Sequence, residues 1–257
     1  MGVAILCQIP RAEKPWYLEN TGLNIYSAEE LGYFICNNPA LADESIVCSG
    51  FVQWVKEELK QSRLALKLSH ILNGETYTER DFILTFLKET CYLNVKELAG
   101  FEQQLQEFAE KPLSQRLKRK ADTLMQHEKY NRALNYYQEA LFCKDQGNMG
   151  SQFRGTIMNN LGCVYARLFM MEEACECFRL AYEELHTFSV LKSYLFSVFM
   201  KDGEEVYRQK LDEFGVDKKS RAKLKEEIDS VQIPKRPEDL DEALENWTES
   251  YHRNTDL

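Results

Sequence analysis

The stretch Thr156–Leu185, TIMNNLGCVYARLFMMEEACECFRLAYEEL, decides the fold class predicted for this chain. Small and large apolar residues occupy the positions at which two paired helices would touch: Leu161, Gly162, Tyr165, Ala174, Phe178 and Ala181. A residue without a Cβ and two alanines allow close helix approach, and the larger side chains fill the space around the contact. The pattern predicts a two-helix hairpin whose helices meet at Gly162 and Ala174.

A second stretch, residues 113–142, repeats this pattern. Its small and apolar positions are Leu117, Ala121, Leu124, Tyr130, Ala133, Tyr137 and Ala140. Ala133 precedes Ala174 by 41 residues, and the loop DQGNMGS, residues 145–151, can hold the extra length. A third, more degenerate unit is predicted at Phe188–Phe214, where Arg208 stands at the small position of the second helix.

These units resemble tetratricopeptide repeats, strongly at 156–185, well at 113–142 and weakly beyond, although Met158 replaces the usual first aromatic residue. The resemblance covers about residues 112–215 and implies hairpins stacked into a right-handed α-α superhelix with a concave groove. The family period is about 34 residues. Because stacks of fewer than about three repeats rarely stand alone, we expect flanking helices to cap the ends.

The first 110 residues carry no signature of this repeat and predict a helical region, either a bundle or degenerate hairpins. After an opening segment, Val3–Ile9, that could be a short strand or an extended arm, three residue pairs have the spacing of capping boxes. These pairs are Ser27 with Glu30, Thr78 with Asp81, and Asn94 with Glu97. The stretch IYSAEELGYFICNNPAL, residues 25–41, also weakly resembles the start of uncharacterised helical proteins of Gram-positive anaerobic bacteria, from which no function follows.

Composition supports an all-α protein. The 257 residues include only 12 glycines and 6 prolines, and the formal net charge is −9. Residues 1–110 have a net charge of −7, and residues 111–231 have a net charge of +2. The overall negative charge argues against a general affinity for nucleic acid or anionic membranes.

Eight cysteines are scattered through apolar helical positions, which favours reduced thiols in the cytosol over a secreted disulfide framework. The opening apolar run is too short for the core of a signal peptide, and no basic residue precedes it. No apolar stretch reaches the roughly 20 residues of a membrane span. We therefore expect a cytoplasmic protein that does not enter the membrane.

The resemblance implies a binding groove along the inner faces of the first helices. Some family members hold a terminal carboxylate there with Lys and Asn, and Lys118 and Asn160 match two of those positions. Asp122 replaces an expected asparagine and would repel a carboxylate, so we predict that this clamp activity is absent. The residues predicted to contact a partner in the groove are Lys118, Asp122, Gln126, Asn159, Asn160, Arg167 and Tyr194. The alternative is that Asn159 and Asn160 only cap loops or meet solvent.

Residues 218–231 predict a closing helix, and residues 232–257 predict a linker with Pro234 and Pro237 followed by an amphipathic tail helix. Leu240, Leu244, Trp247 and Tyr251 form the apolar stripe of that helix. It could cap the stack, bind a partner, or occupy the protein's own groove until a partner displaces it.

Catalytic and metal-binding patterns are weak. Cys175 and Cys177 point to different sides of a helix, and no paired CxxC or His-x₃-His accompanies them. The four histidines lie in separate helical contexts, and the run Gly147–Gly150 lacks the lysine of a phosphate-binding loop. Two basic clusters, residues 116–120 and 218–225, are interrupted by acidic residues or spread around their helices, which is typical of solvated surfaces.

Together these features predict three segments: residues 1–110, residues 111–231 with the repeats and closing helix, and residues 232–257. The predicted function is a non-enzymatic, cofactor-free adaptor or scaffold that binds a protein or peptide partner through the concave face. The alternatives are a regulator that also engages nucleic acid and a structural protein that self-associates into homo-oligomers.

Overall fold

The computed structural model describes residues 11–43, 45–74, 78–143, 150–231 and 239–255. Within those ranges the chain forms twelve α-helices, one 3₁₀ turn and a single two-stranded hairpin. This confirms the predicted all-α class. The predicted opening strand or arm, Val3–Ile9, lies outside the described residues, as do Pro234, Pro237 and most of the predicted loop at 145–151.

The elements follow one another closely. The hairpin strands are β1, Trp16–Leu18, and β2, Leu23–Ile25, paired antiparallel with Trp16 opposite Ile25. The hairpin is followed by α1 (Ala28–Asn37), the 3₁₀ turn Pro39–Leu41, α2 (Ser49–Glu57), α3 (Ser62–Leu72), α4 (Glu79–Glu89) and α5 (Val95–Ala109). The region predicted to hold the first two repeats, called the repeat-like part below, contains α6 (Leu113–Gln126), α7 (Tyr130–Phe142), α8 (Ser151–Arg167) and α9 (Met171–Leu185). The chain continues with α10 (Phe188–Glu213), α11 (Lys218–Asp229) and α12 (Leu240–Thr255).

The capping signals begin helices where the sequence predicts. Thr78 and Asp81 form a reciprocal capping box at α4, and Asn94 and Glu97 form one at α5. At α1 only half of the box is made, because Ser27 Oγ accepts from the Glu30 amide while the Glu30 carboxylate accepts from the amide of Tyr26. Each arrangement satisfies backbone N–H groups that the first turn of a helix leaves without partners.

One apolar core joins the amino-terminal helices to the first repeat-like helices. Its buried residues run continuously in space from Ala12 to Val164 and include Leu117, Ala121 and Leu124 of α6. Phe51 lies fully buried at its aromatic centre, with the rings of Trp16, Trp54, Phe82 and Phe86 around it at 5.5–6.1 Å between centroids. The sequence placed a boundary at residue 110, but residues on both sides of it share this core.

Helices α6 and α7 pack against each other, as do α8 and α9, and α7 also packs against α8. Gly162 of α8 lies directly beneath the Phe178 ring of α9, and Ala174 is fully buried in the same helix pair. Ala121 and Ala133 are likewise fully buried in α6 and α7. The small residues therefore lie within the helix contacts that the sequence pattern predicts for them.

The predicted third unit contains α10, which consists of two helical segments that meet at a kink at Gly203. The φ angle of Gly203 is 83°, a conformation that glycine adopts without strain. The chain divides into two compact units, Met1–Tyr207 and Arg208–Leu257. The predicted closing and tail helices correspond to α11 and α12 in the second unit.

Candidate functional site

A cleft of about 850 Å³ opens in the first unit beside the inner face predicted for α6. It is lined by the 3₁₀ turn, α5, α6 and the first turns of α8. Its lining residues are Pro39, Ala40, Gln104, Glu107, Phe108, Lys111, Gln115, Lys118, Arg119, Asp122, Gly150, Gln152, Phe153 and Thr156. Two residues predicted to contact a partner in the groove, Lys118 and Asp122, therefore lie with Gln115 on one concave surface.

At the α6 side of the cleft, the Asp122 carboxylate is held by donors from three helices. Lys118 Nζ of α6 lies 2.8 Å from Oδ2, and Tyr137 Oη of α7 donates to Oδ1 at 2.7 Å. Asn160 Nδ2 of α8 donates to the same Oδ1 at 3.0 Å and lies 3.2 Å from Tyr137 Oη. The network fixes the relative positions of α6, α7 and α8 beside the cleft.

The surroundings of Tyr137 keep its hydroxyl protonated. The Tyr137 side chain is 1% exposed, and burial together with the neighbouring Asp122 carboxylate raises the pKa of its phenol far above the ordinary value. Tyr137 therefore remains a neutral donor, and the partly buried Asp122 carboxylate is well compensated by its three donors. The sequence predicts that Asp122 would repel a bound carboxylate. In the structure the Lys118 ammonium contacts the Asp122 carboxylate and opposes this repulsion.

The structure brings together only part of the predicted site. Lys118 and Asp122 line the cleft, and Asn160 reaches Asp122 from α8. The other four predicted residues, Asn159, Gln126, Arg167 and Tyr194, do not line this cleft, and Asn159 is half-buried on α8. Of these, Gln126 and Arg167 are exposed, whereas Tyr194 is only 6% exposed within α10.

Several residues that line the cleft were not predicted from the sequence. Glu107 and Phe108 belong to α5, which carries no repeat signature, and Phe153 lies in the first turn of α8. Tyr137 was predicted at an apolar position of the repeat pattern, and its ring is buried in the core, but its hydroxyl also donates to Asp122. A tyrosine at a core position needs a partner for its hydroxyl, and that requirement is a sequence signal for the network in addition to the four-residue spacing of Lys118 and Asp122.

The cleft presents mixed chemistry. The Lys111 and Arg119 side chains are exposed at its edge together with Glu107, and the glutamine amides of Gln104 and Gln115 can both donate and accept. The rings of Phe108 and Phe153 and the surface of Pro39–Ala40 add apolar area. Such a lining offers hydrogen-bond partners to an exposed peptide backbone and apolar contacts to its side chains.

The predicted basic clusters are partly neutralised by acidic partners. Lys120 pairs with Asp43 at 2.8 Å, and Arg221 pairs with Asp212 at 2.6 Å. Together with the Lys118–Asp122 pair, these contacts reduce the positive charge that would be available to phosphate groups.

The cysteines of α9 have different surroundings. Cys175 is buried and its Sγ donates to Ser197 Oγ at 3.2 Å, whereas Cys177 is half-buried and burial raises its pKa to about 11. A thiol with a raised pKa is almost fully protonated at neutral pH, and it is therefore a poor nucleophile and a poor metal ligand. In the part of the chain that the structure describes, no three His, Cys, Asp or Glu side chains are grouped so as to hold a metal ion.

Across the described ranges, no helix has the length and apolar composition needed to cross a membrane. No family model, curated protein or solved structure matches the chain.

Proposed function

We propose that this protein is a non-enzymatic adaptor of the bacterial cytoplasm, built from tetratricopeptide-like hairpins, that binds an extended segment of a partner protein in the α5–α6–α8 cleft. The observation that carries the proposal is the concave lining of the cleft. Lys118 and Asp122, which the repeat resemblance assigned to an inner face, share that lining with Gln115, Phe108 and Phe153.

The lining suits a peptide better than a phosphate or a small apolar ligand. Glu107 opposes a densely anionic partner, and the charge of Lys118 is already paired with Asp122. Lys111 and Arg119 favour acidic side chains at the rim. An extended backbone presents both N–H and C=O groups, which side-chain amides such as those of Gln104 and Gln115 can satisfy. The aromatic surfaces of Phe108 and Phe153 then provide apolar anchors.

The test uses the full chain and peptides selected from a phage-displayed random library. Selected peptides are labelled with fluorescein, and their affinities are measured by fluorescence polarisation for the wild-type chain and for Gln115→Arg. Gln115 is exposed and lines the cleft, so a longer charged side chain should obstruct the peptide without disturbing the core. We expect affinity to fall by about tenfold or more, equivalent to about 1.4 kcal/mol.

The matched control is Asn135→Arg, the same kind of change at an exposed α7 position outside the cleft. It should leave affinity within about twofold, because surface changes remote from a contact have small effects. Equal affinities of Gln115→Arg and wild type would place peptide binding elsewhere and remove the support for this function.

A further inference from the structure

A second cavity, of about 460 Å³, lies in the amino-terminal part of the first unit, and its lining differs in kind from that of the cleft. It is bounded by β2, α1, the connection after α4 and the residue that follows α6. The cleft and this cavity share no lining residue.

Aromatic rings form much of the cavity wall. Tyr33 and Phe34 come from α1, and Tyr92 comes from the connection between α4 and α5. The Tyr92 ring packs against the backbone of Gly32. A Cβ on residue 32 would lie 2.6 Å from the ring, so this packing requires glycine. The His127 ring stands 6.4 Å from that of Phe34, and its Nε2 donates to Asn38 Oδ1 at 2.8 Å.

The formal charges on the lining are negative. Glu29 and Glu30, both in the first turn of α1, contribute two carboxylates. One oxygen of Glu30 accepts from the Tyr26 amide, which orients the group but leaves its charge in place. Among the described residues that line this cavity there is no lysine or arginine.

We infer that this cavity binds a small organic cation that carries a methylated ammonium group. Aromatic faces attract cations through the negative side of the ring quadrupole, and carboxylates add long-range attraction. A quaternary ammonium has no N–H groups to satisfy and spreads its charge over methyl groups, so it packs against tyrosine and phenylalanine faces with little loss of hydrogen bonding. An anion is opposed by Glu29 and Glu30, and a neutral apolar molecule gains nothing from those two carboxylates.

The inference is tested by calorimetric titration of the full chain with choline and with 3,3-dimethylbutan-1-ol, which has nearly the same shape without the charge. We expect saturable choline binding and at least about tenfold weaker binding of the neutral alcohol, since cation–π and carboxylate contacts act on the charge alone. Equal binding of the two compounds, or no binding of any methylated ammonium, would overturn the assignment.

The same chemistry could also come from a methylated lysine of another protein, so a short peptide with a trimethyllysine is titrated in parallel. Tighter binding of choline assigns the cavity to a free small molecule, and this is the result we expect because the site lies apart from the peptide cleft. Tighter binding of the peptide would overturn the assignment to a small molecule.

Two substitutions locate the binding. Tyr33 is 65% exposed, so Tyr33→Leu removes a π face without disturbing the core, and Glu29→Gln removes a charge. Each should weaken choline binding by about fivefold or more, whereas Tyr33→Phe should retain it because the ring remains. Tyr17→Leu, at a 55% exposed residue of β1 outside the cavity, is the matched control. Unchanged choline binding by both Tyr33→Leu and Glu29→Gln would contradict the inference.

Discussion

The Asp122 carboxylate is a point at which α6, α7 and α8 are linked, because its partners come from all three helices. By comparison with carboxylate-binding repeats, an acidic residue at this position predicts repulsion of an anionic ligand. In the fold, the carboxylate instead accepts hydrogen bonds from Tyr137 and Asn160 and pairs with Lys118. Only the Lys118 contact, four residues away on the same helix, has a spacing that sequence can predict. The partners from α7 and α8 are 15 and 38 residues distant, and periodicity does not encode them.

This network also bears on tests of the groove. Asn160 was predicted to contact a partner, but its side-chain amide already donates to Asp122 and Tyr137. Replacing Asn160 with alanine would weaken the support of α6 and α8 as well as any partner contact, so a loss of binding in that variant would have two explanations. Gln115, exposed on the same cleft, separates the two effects.

The first prediction concerns the Tyr137 hydroxyl. Tyr137→Phe keeps the buried ring and removes one donor from a partly buried carboxylate, so we expect the free energy of unfolding to fall by about 1–3 kcal/mol. Urea unfolding followed by circular dichroism measures the change. Tyr17→Phe, at a tyrosine that is 55% exposed, should change it by less than about 0.5 kcal/mol. Similar effects of the two substitutions would show that the hydrogen bond adds little to stability.

Helix starts were predictable wherever their signals are local. The pairs Thr78–Asp81 and Asn94–Glu97 are three residues apart and form complete capping boxes, because such contacts depend on a single turn of backbone. The hairpin of β1 and β2 was not predicted, since three-residue strands carry too little alternation to be recognised. Clefts and cavities depend on how several helices pack, so Phe108 and Tyr92 could not be assigned to theirs from spacing alone.

The second prediction tests the contact between α8 and α9. A Cβ on Gly162 would lie 2.7 Å from carbon atoms of the Phe178 ring, which is buried, so the ring or one of the two helices would have to shift. Overpacking costs about 1–3 kcal/mol, while the higher helix propensity of alanine returns at most about 1 kcal/mol. We therefore expect Gly162→Ala to lower the urea midpoint of unfolding.

Gly100 provides the opposite case within the same unit. It lies in the exposed part of α5, and an added Cβ would meet nothing within 4 Å. Gly100→Ala should raise the free energy of unfolding by about 0.5–1 kcal/mol through helix propensity alone. If Gly162→Ala were also stabilising, the close approach between these helices would not be the feature that makes glycine necessary there.

At the scale of the whole molecule, a shared core and a buried ion pair tie the amino-terminal helices to the repeat-like helices. Lys120 of α6 lies 2.8 Å from Asp43, whose side chain is 4% exposed and also accepts from the amide of Ser45 and the side chain of Asn20. The two charged residues are 77 positions apart, and Lys120 appeared in the sequence as one member of a solvated basic cluster. Long-range pairings of this kind are fixed by packing. A boundary at residue 110 could therefore be drawn from the point at which the repeat pattern begins, but the contacts across it could not be predicted from the sequence.

The third prediction is that this pair is a main link between the two parts of the core. Asp43→Ala leaves the Lys120 ammonium without its nearest carboxylate and removes the acceptor for Asn20 and Ser45, so we expect a loss of about 3 kcal/mol in the free energy of unfolding. Glu183→Ala breaks an exposed contact with Arg179 and should cost less than about 1 kcal/mol.

Adding Lys120→Met to Asp43→Ala removes the uncompensated charge and should recover part of the loss, because an apolar side chain of similar length can fill the same space. Urea unfolding of the four proteins, including wild type, tests all three expectations. If Asp43→Ala were no more destabilising than Glu183→Ala, the apolar contacts of Leu117, Ala121 and Leu124 would be what holds α6 to the amino-terminal helices.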